Sequence, residues 1–432
     1  MNGLAPLFFM ITSTVKVVAV FSVLMVAVAY TTLAERKISA WLQDRHGPNR
    51  VGPWGILQPL ADGVKNIAKE ETMPGTSAKP YFVLGPMISI IPALVTFAVI
   101  PFAAPLPTPW GTVPMIVADV PIGILYIMAL SSLGVYGLVL GGWASNNKYA
   151  FLGGLRASAQ MVSYEVALGL SLVTVLMVTG NVTLTQVVFE QQRLQLWYIL
   201  PLSLGFILFV ISAFAETNRL PFDMPEAESE LVTGYHTEYS SMKFSMFFIA
   251  EYAHVITQSA LMATLFLGGW DIPVWHGDDA FFFQGQWISG FDAAGAPVLA
   301  ALAWWKTLLT LGMFLLKTGF FVFVYIWVRW TLPRFRYDQV MQLGWKVMLP
   351  TALTYVVVIA GTLLVLDEVG VPFGLRFGLV LTAVSAVATG IFVFWLDRDR
   401  IIGGASHPAR GPLPPRMPSV DVPKLPASVG GD

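Results

Sequence analysis

Nine runs of mostly apolar residues divide this chain, at 14–34, 80–103, 118–142, 157–180, 196–215, 244–270, 303–330, 346–366 and 373–396. Each reaches the roughly 20 residues a helix needs to cross a bilayer, because a residue adds about 1.5 Å and the hydrocarbon core is about 30 Å thick. The fold class this predicts is an all-α integral membrane protein with about nine transmembrane helices. Composition agrees. Of 432 residues, 56% are hydrophobic and 12% charged, and a mean hydropathy of +0.68 is too high for an ordinary soluble surface. The first run has no basic stretch before it and no small-residue cleavage site after it, so it is expected to persist as a helix and not to be removed as a signal peptide.

Basic residues orient the bundle, since short loops rich in Lys and Arg stay in the cytoplasm. The loops after runs one, three, five and seven, with the segment after run nine, hold 20 of the 25 Lys and Arg. The N-terminus is therefore expected outside and the C-terminus inside. There are no cysteines, which excludes thiolate-ligated iron–sulfur clusters, cysteine zinc sites and disulfides. The five histidines, His46, His236, His254, His276 and His407, do not pair on one helix at metal-ligand spacing, so no metal site is expected. Any electrons must come from another chain.

The first cytoplasmic loop reads AERKISAWLQDRHGPNRVGPWGILQPLADGVKNIAKEETMPG. Pro59 fits the first turn of a short helix in which Leu60, Val64, Ile67 and Ala68 share a face, and Asp62, Lys65, Asn66 and Lys69 lie elsewhere. That pattern predicts an amphipathic helix lying in the membrane interface. The preceding GPNRVGPWG is a run of turn formers. Two readings stay open: the loop lines the mouth of a cavity for an amphiphilic ligand, or it anchors the chain with Arg36, Lys37 and Arg45 snorkelling to the surface.

Ionisable residues inside spans are costly, and they commonly mark ion or proton routes. Glu165, Glu251 and Lys317 fall in runs four, six and seven; Asp119 and Lys16 lie near helix ends and reach the interface. His254, one turn after Glu251, is as readily a structural histidine. The stretch at 215–241, AETNRLPFDMPEAESELVTGYHTEYSS, gathers Glu216, Asp223, Glu226, Glu228, Glu230 and Glu238 around a single arginine, Arg219. Clustered, buried carboxylates raise one another's pKa and titrate as a set, which suits a proton relay continuous with Glu165 and Glu251. The other reading is a solvated acidic loop, against which stand the interleaved Leu220, Phe222, Met224, Leu231 and Val232, with Pro221 and Pro225.

Four long motifs, the first loop to Glu70, LRASAQMVSYE, AETNRLPFDMPEAESELVTGYHTEYSSMKFSMFFIAEY and WVRWTLPRFRYDQVMQLGWK, occur in one order over residues 14–366. Together they closely resemble the H subunits of bacterial NADH:quinone oxidoreductase, respiratory complex I, a family whose mitochondrial counterpart is subunit 1. The resemblance implies a membrane component of a proton-pumping translocase in the bacterial inner membrane, at the junction with the peripheral arm. Its partners would be the arm subunit carrying the terminal iron–sulfur cluster, small membrane subunits, antiporter-like subunits and the lipid bilayer; nothing points to nucleic acid. The chain would bind no cofactor of its own, flavin and iron–sulfur clusters sitting on partners, and quinone would be the substrate. Carried over residue by residue, the resemblance implies that Arg36, Arg45, Asp62, Arg219, Phe222 and Arg336 border the quinone tunnel. Glu165, Glu216, Asp223, Glu226, Glu228, Glu230 and Glu251 would couple protons. Arg334 and Arg336 are expected to offset the carboxylates.

The chain also departs from the family pattern. A single polytopic domain is expected over 1–400, with an additional helix at 373–396 beyond the usual eight, a long aromatic outer loop before run seven, and a proline-rich cytoplasmic tail over 401–432. In run three only Ser131 and Ser132 stand where relatives use an acid. Three other classes compete: the membrane component of an energy-converting hydrogenase, an independent cation antiporter, for which no inverted repeat is seen, and a purely structural anchor.

Overall fold

A computed structural model describes residues 4–225, 228–273, 275, 281–283, 286–291, 297–299 and 302–397. The chain divides into two compact units, Met1–Thr389 and Gly390–Asp432. The second contributes the last turns of the final helix to the described residues. His276, His407 and the proline-rich tail lie outside the described residues.

Thirteen helices occur among the described residues: α1 (Leu4–Leu42), α2 (Gln58–Ala68), α3 (Lys79–Val95), α4 (Gly123–Ala144), α5 (Lys148–Thr179), α6 (Leu184–Leu194), α7 (Ser203–Glu216), α8 (Glu228–Leu231), α9 (Ser241–Phe266), α10 (Trp304–Thr331), α11 (Tyr337–Gln342), α12 (Leu349–Glu368) and α13 (Leu375–Asp397). The chain is an all-α integral membrane protein. Among the described residues, seven helical segments are long and apolar enough to cross a membrane: those built on α1, α3, α4, α5, α10, α11 continuing through α12, and α13. The two remaining expected runs correspond to α7, which has only 14 residues, and α9, which has 26 but carries Lys243, Glu251, His254 and Gln258. Those polar groups dilute its hydropathy while its second half is buried almost without interruption, so other helices, not lipid, solvate α9.

Several boundaries differ from those expected of the sequence. The first helix runs to Leu42, well beyond the apolar run ending at 34, because Ala34–Trp41 is free of Gly and Pro and rich in residues that favour helix. It stops where Asp44 takes a left-handed backbone (φ 51°) before Gly47 and Pro48. α2 matches the expected helix in the first loop. Leu60, Val64 and Ile67 are exposed, and the helix has no buried residue. Between α5 and α7 the chain adds α6, which buries Leu184, Val187, Val188 and Leu194. Short antiparallel strands also occur: β1 (Leu106–Thr108) pairs with β2 (Gly111–Val113), Leu106 opposite Val113. β4 (Gln286–Phe291) lies between β3 (Phe281–Phe283) and β5 (Pro297–Leu299), with a register shift between Ile288 and Gly290.

Small residues let the helices approach closely. A Cβ at Gly137 of α4 would lie 2.2 Å from Ser89 Oγ and 2.8 Å from the Gly85 carbonyl of α3, and one at Gly153 of α5 would lie 2.6 Å from Tyr235 N. Neither position has room for a side chain. The second contact pins the segment between α7 and α9 onto the bundle. There Tyr239 stacks on Phe82 (centroids 4.1 Å apart), and Tyr235 and Tyr239 both meet Phe247 edge-on.

A buried network of carboxylates and arginines

Where α7 ends, the chain turns through Asn218, in a left-handed conformation (φ 52°), and places Arg219 inside the bundle, 7% exposed. Gln160 of α5 fixes that turn: its Nε2 donates to the carbonyls of Ala215 (2.8 Å) and Phe222 (2.7 Å). Phe222 is buried against Tyr164 and Phe335.

Arg219 faces carboxylates from two other helices. Its Nε lies 2.9 Å from Glu251 Oε1, its Nη1 lies 3.7 Å from Glu35 Oε2, and the guanidinium covers the Tyr252 ring at 4.1 Å. Tyr252 Oη donates to Glu35 Oε2 (2.7 Å), and Arg329 of α10 donates to Glu35 Oε1. Arg334 Nη2 donates to Asp223 Oδ2 (2.8 Å). Three carboxylates, Glu35, Asp223 and Glu251, thus meet three arginines, Arg219, Arg329 and Arg334. Such a site is favourable only because each buried charge has an opposite partner. Burial works against the Arg219 charge, but Glu251, then Tyr252 and Glu35, more than reverse this and raise its pKa. Asp223 is pushed up to about 6, chiefly by burial; Arg334 opposes the rise and Glu251 adds to it. Burial pushes His236 down to about 4, so it is neutral at pH 7.

Deeper in the bundle, Glu216 is 6% exposed and Gln258 Nε2 donates to its Oε2 (2.7 Å). Ser131 and Glu165 are its neighbours, and Ser132 donates to Glu165 Oε1. A cavity lies between α3, α4, α5 and α9, with Glu216, Glu251, His254, Asn218 and Ser89 in its lining. It has room for about two water molecules. Glu216 Oε1 and Gln258 Oε1 are buried without a partner among the described residues and are the atoms such waters would serve. Gly134 also lines the cavity, where a Cβ would make ordinary contact with His254 Nε2 at 3.6 Å. Glu251, at the arginine cluster, and Glu216 thus line one small polar cavity.

The structure brings Glu165, Glu216, Glu251, Asp223, Arg219 and Phe222 together and leaves the other expected residues elsewhere. Of the described carboxylates of 215–241, Glu216, Asp223, Glu230 and Glu238, none forms an ion pair with Arg219, whose partners are Glu251 and Glu35. Glu230 reaches Arg156 at the surface (2.5 Å), and Asn147 donates to Glu238 (2.6 Å). Glu226 and the Glu228 side chain lie outside the described residues. Arg36 pairs with Asp62 (2.7 Å) at an exposed site between α1 and α2, where Gln58 also donates to Asp62. Arg45 is exposed and donates to Gln43. Of the two arginines expected to offset the carboxylates, Arg334 reaches Asp223, whereas Arg336 is exposed at the start of α11 with its N–H on Gln339. Lys317 is a tether at the opposite end of α9: its Nζ donates to the carbonyls of Leu267 and Asp271 (2.6 Å each) and covers the Trp197 ring.

Glu35, Tyr252, Gln258 and Arg329 are not legible in the sequence as site residues. Glu35 and Arg329 sit at the ends of apolar runs, where a charge reads as an interfacial anchor. One signal is available in α9, where Glu251, His254 and Gln258 recur at i, i+3 and i+7 on one helix face.

A family model described as NADH dehydrogenase matches residues 15–360. An H subunit of NADH-quinone oxidoreductase from Cytophaga hutchinsonii is 45% identical over 359 residues, 83% of this chain and 98% of the relative. The H subunit from Leptospira biflexa is 48% identical over 78% of this chain and 91% of its own length, and that from Rhodospirillum rubrum 49% identical over 79% and 90%. This chain belongs to the family of NADH-quinone oxidoreductase H subunits. Every site residue from Glu35 to Arg336 falls inside the matched segment, whereas α13 and the tail follow it. The family assignment makes the chain a membrane component of a multi-subunit complex, and the arginine–carboxylate network lies within the part shared with its relatives.

Proposed function

We propose that this chain borders the path by which quinone reaches its reduction site in NADH:quinone oxidoreductase, and that it transmits quinone reduction to proton translocation through its buried carboxylates. The observation that carries the reading is the continuous polar connection from the Arg219 cluster through Glu251 to the Glu216 cavity. Reduction of quinone beside Arg219 changes the local charge, and every carboxylate coupled to that arginine must respond in protonation or position; Arg36 and Asp62, paired at an exposed site between α1 and α2, would border the entrance. Arg45, Phe222 and Arg336 would extend the quinone path, Asp223 would respond with Glu251, and Glu226, Glu228 and Glu230 would serve protons entering from the cytoplasm.

In this reading flavin and iron–sulfur clusters sit on peripheral-arm subunits, and this chain holds no redox group of its own. The single polytopic domain lies in the bacterial inner membrane, N-terminus outside and C-terminus cytoplasmic, beside small and antiporter-like membrane subunits. The test is Glu216→Gln and Glu251→Gln in the assembled complex. Both should lower quinone reductase activity and proton pumping together while assembly is retained. Normal pumping in both variants overturns the relay. A photoreactive quinone analogue should label residues 35–70, and labelling confined to other subunits counts against the quinone path.

A further inference from the structure

At the end of the bundle opposite Arg219, where α5 and α9 finish, a second cleft encloses about 750 Å³, part of it open to the outside. It belongs to neither the quinone path nor the carboxylate network. Its lining includes Asp119, Asn181, Thr185, Gln186, Trp270 and Trp287. Asp119 faces the cleft and is held from one side by Thr185 Oγ1, which lies 3.2 and 3.3 Å from its two carboxylate oxygens. Asn181 Oδ1 is occupied by the N–H groups of Val182 and Thr183, and Gln186 Nε2 donates to Glu190, which leaves Gln186 Oε1 as an acceptor. Trp270 is buried in the wall, and its indole N–H has no partner among the described residues.

One carboxylate, one amide acceptor and two indoles are a poor cage for a small, strongly hydrated divalent ion, which takes six or more oxygens or demands an octahedron. No group of three His, Cys, Asp or Glu suited to a metal occurs among the described residues. A large, weakly hydrated cation suits the same lining, because indole faces attract it and the carboxylate neutralises it. Depth points to the same class. Trp110, Trp304 and Trp305 are exposed at this end of the molecule, and tryptophan gathers where headgroups meet hydrocarbon.

We propose that this cleft binds an alkylammonium group, with Asp119 as its counter-ion and Trp270 and Trp287 as its walls, supplied by the headgroup of an aminophospholipid or by a soluble amine. Burial of the ammonium beside Asp119 replaces water with a charge-assisted contact.

The test uses the assembled complex in phosphatidylglycerol nanodiscs doped with phosphatidylethanolamine carrying a photoreactive acyl chain. Label is read by mass spectrometry on residues 110–122 and 181–193, with a photoreactive phosphatidylglycerol as control. Asp119→Asn should lower the phosphatidylethanolamine label about tenfold, the size of one lost charge-assisted contact, and leave the phosphatidylglycerol label unchanged. Thr185→Val, which keeps the charge and removes the supporting hydroxyl, should lower it less and also serves if Asp119→Asn fails to assemble. Displacement by excess ethanolamine assigns the site to a soluble amine, and persistence of the label assigns it to the lipid. Equal labelling of the wild-type complex and both variants overturns the proposal. Quinone reductase activity is not the readout, so failure here leaves the reading of the Arg219 network untouched.

Discussion

Arg219 shows how a residue's role depends on partners that the local sequence does not announce. Six nearby carboxylates suggest a counter-ion cluster, yet its ion-pair partners are Glu251 and Glu35, from distant helices. Glu165 and Glu251 are legible because a carboxylate within an apolar run has few bland explanations. Glu35 is not, since AERK at a helix end looks like a surface anchor until α10 supplies Arg329. Arg219→Gln removes the cation that faces Glu251 and one of the two that face Glu35, and should cost about 3–5 kcal/mol, read as earlier thermal dissociation of the complex. Arg219→Lys keeps the charge but loses the planar fork, so it should retain assembly and lose most quinone reductase activity. Asp223 gives a pH prediction. With its folded pKa raised from the ordinary 3.8 to about 6, the unfolded chain releases this proton first as pH rises. Its contribution to stability is therefore greatest below 3.8 and declines until pH passes about 6. A carboxylic-acid stretching band that disappears with a midpoint near pH 6 should be present in infrared difference spectra and absent in Asp223→Asn. A midpoint near the unperturbed value refutes the assignment.

Elements are legible to the extent that lipid, and not protein, surrounds them. α3, α4, α5, α10, α12 and α13 follow from apolar length alone, because a helix that meets hydrocarbon must be apolar. α9 sits among other helices, so its sequence can carry Glu251, His254 and Gln258 and still be buried. α6 is too short to cross and too polar overall to stand out, although Gln191 binds the Thr264 carbonyl (3.0 Å) and accepts from Tyr198 N. The extension of α1 is hidden by charge, since Glu35, Arg36 and Lys37 end an apolar run but do not end a helix. Packing between elements gives a second kind of test. Gly137→Ala puts a methyl where Ser89 Oγ lies at 2.2 Å, so α3 and α4 must separate. The expected loss is about 1–3 kcal/mol, measured as a lower midpoint for thermal loss of the assembled complex. Gly63→Ala, on α2 where a Cβ meets nothing, is the matched control and should leave that midpoint unchanged.

For the whole molecule, orientation decides which side each site serves. The basic loops put Arg36, Lys65 and the Arg219 segment on one side, and the ends of α5 and α9, with Asp119 and Trp270, on the other. The acidic stretch at 215–241 is less anomalous than its composition suggests. Its carboxylates disperse onto Arg334, Arg156, Asn147 and Gln258, so no uncompensated negative patch opposes the positive-inside rule among the described residues. The absence of cysteine from the sequence makes orientation directly measurable, because a single introduced thiol is the only reactive one in the chain. Glu368→Cys, exposed at the end of α12, should react with a membrane-impermeant maleimide in intact spheroplasts. Lys65→Cys, exposed on α2, should react only after lysis. If the pattern is reversed, the 215–241 segment and the Asp119 cleft exchange sides. The proposed quinone path beside Arg219 would then open at the outer face, which contradicts the cytoplasmic peripheral arm that the proposal requires.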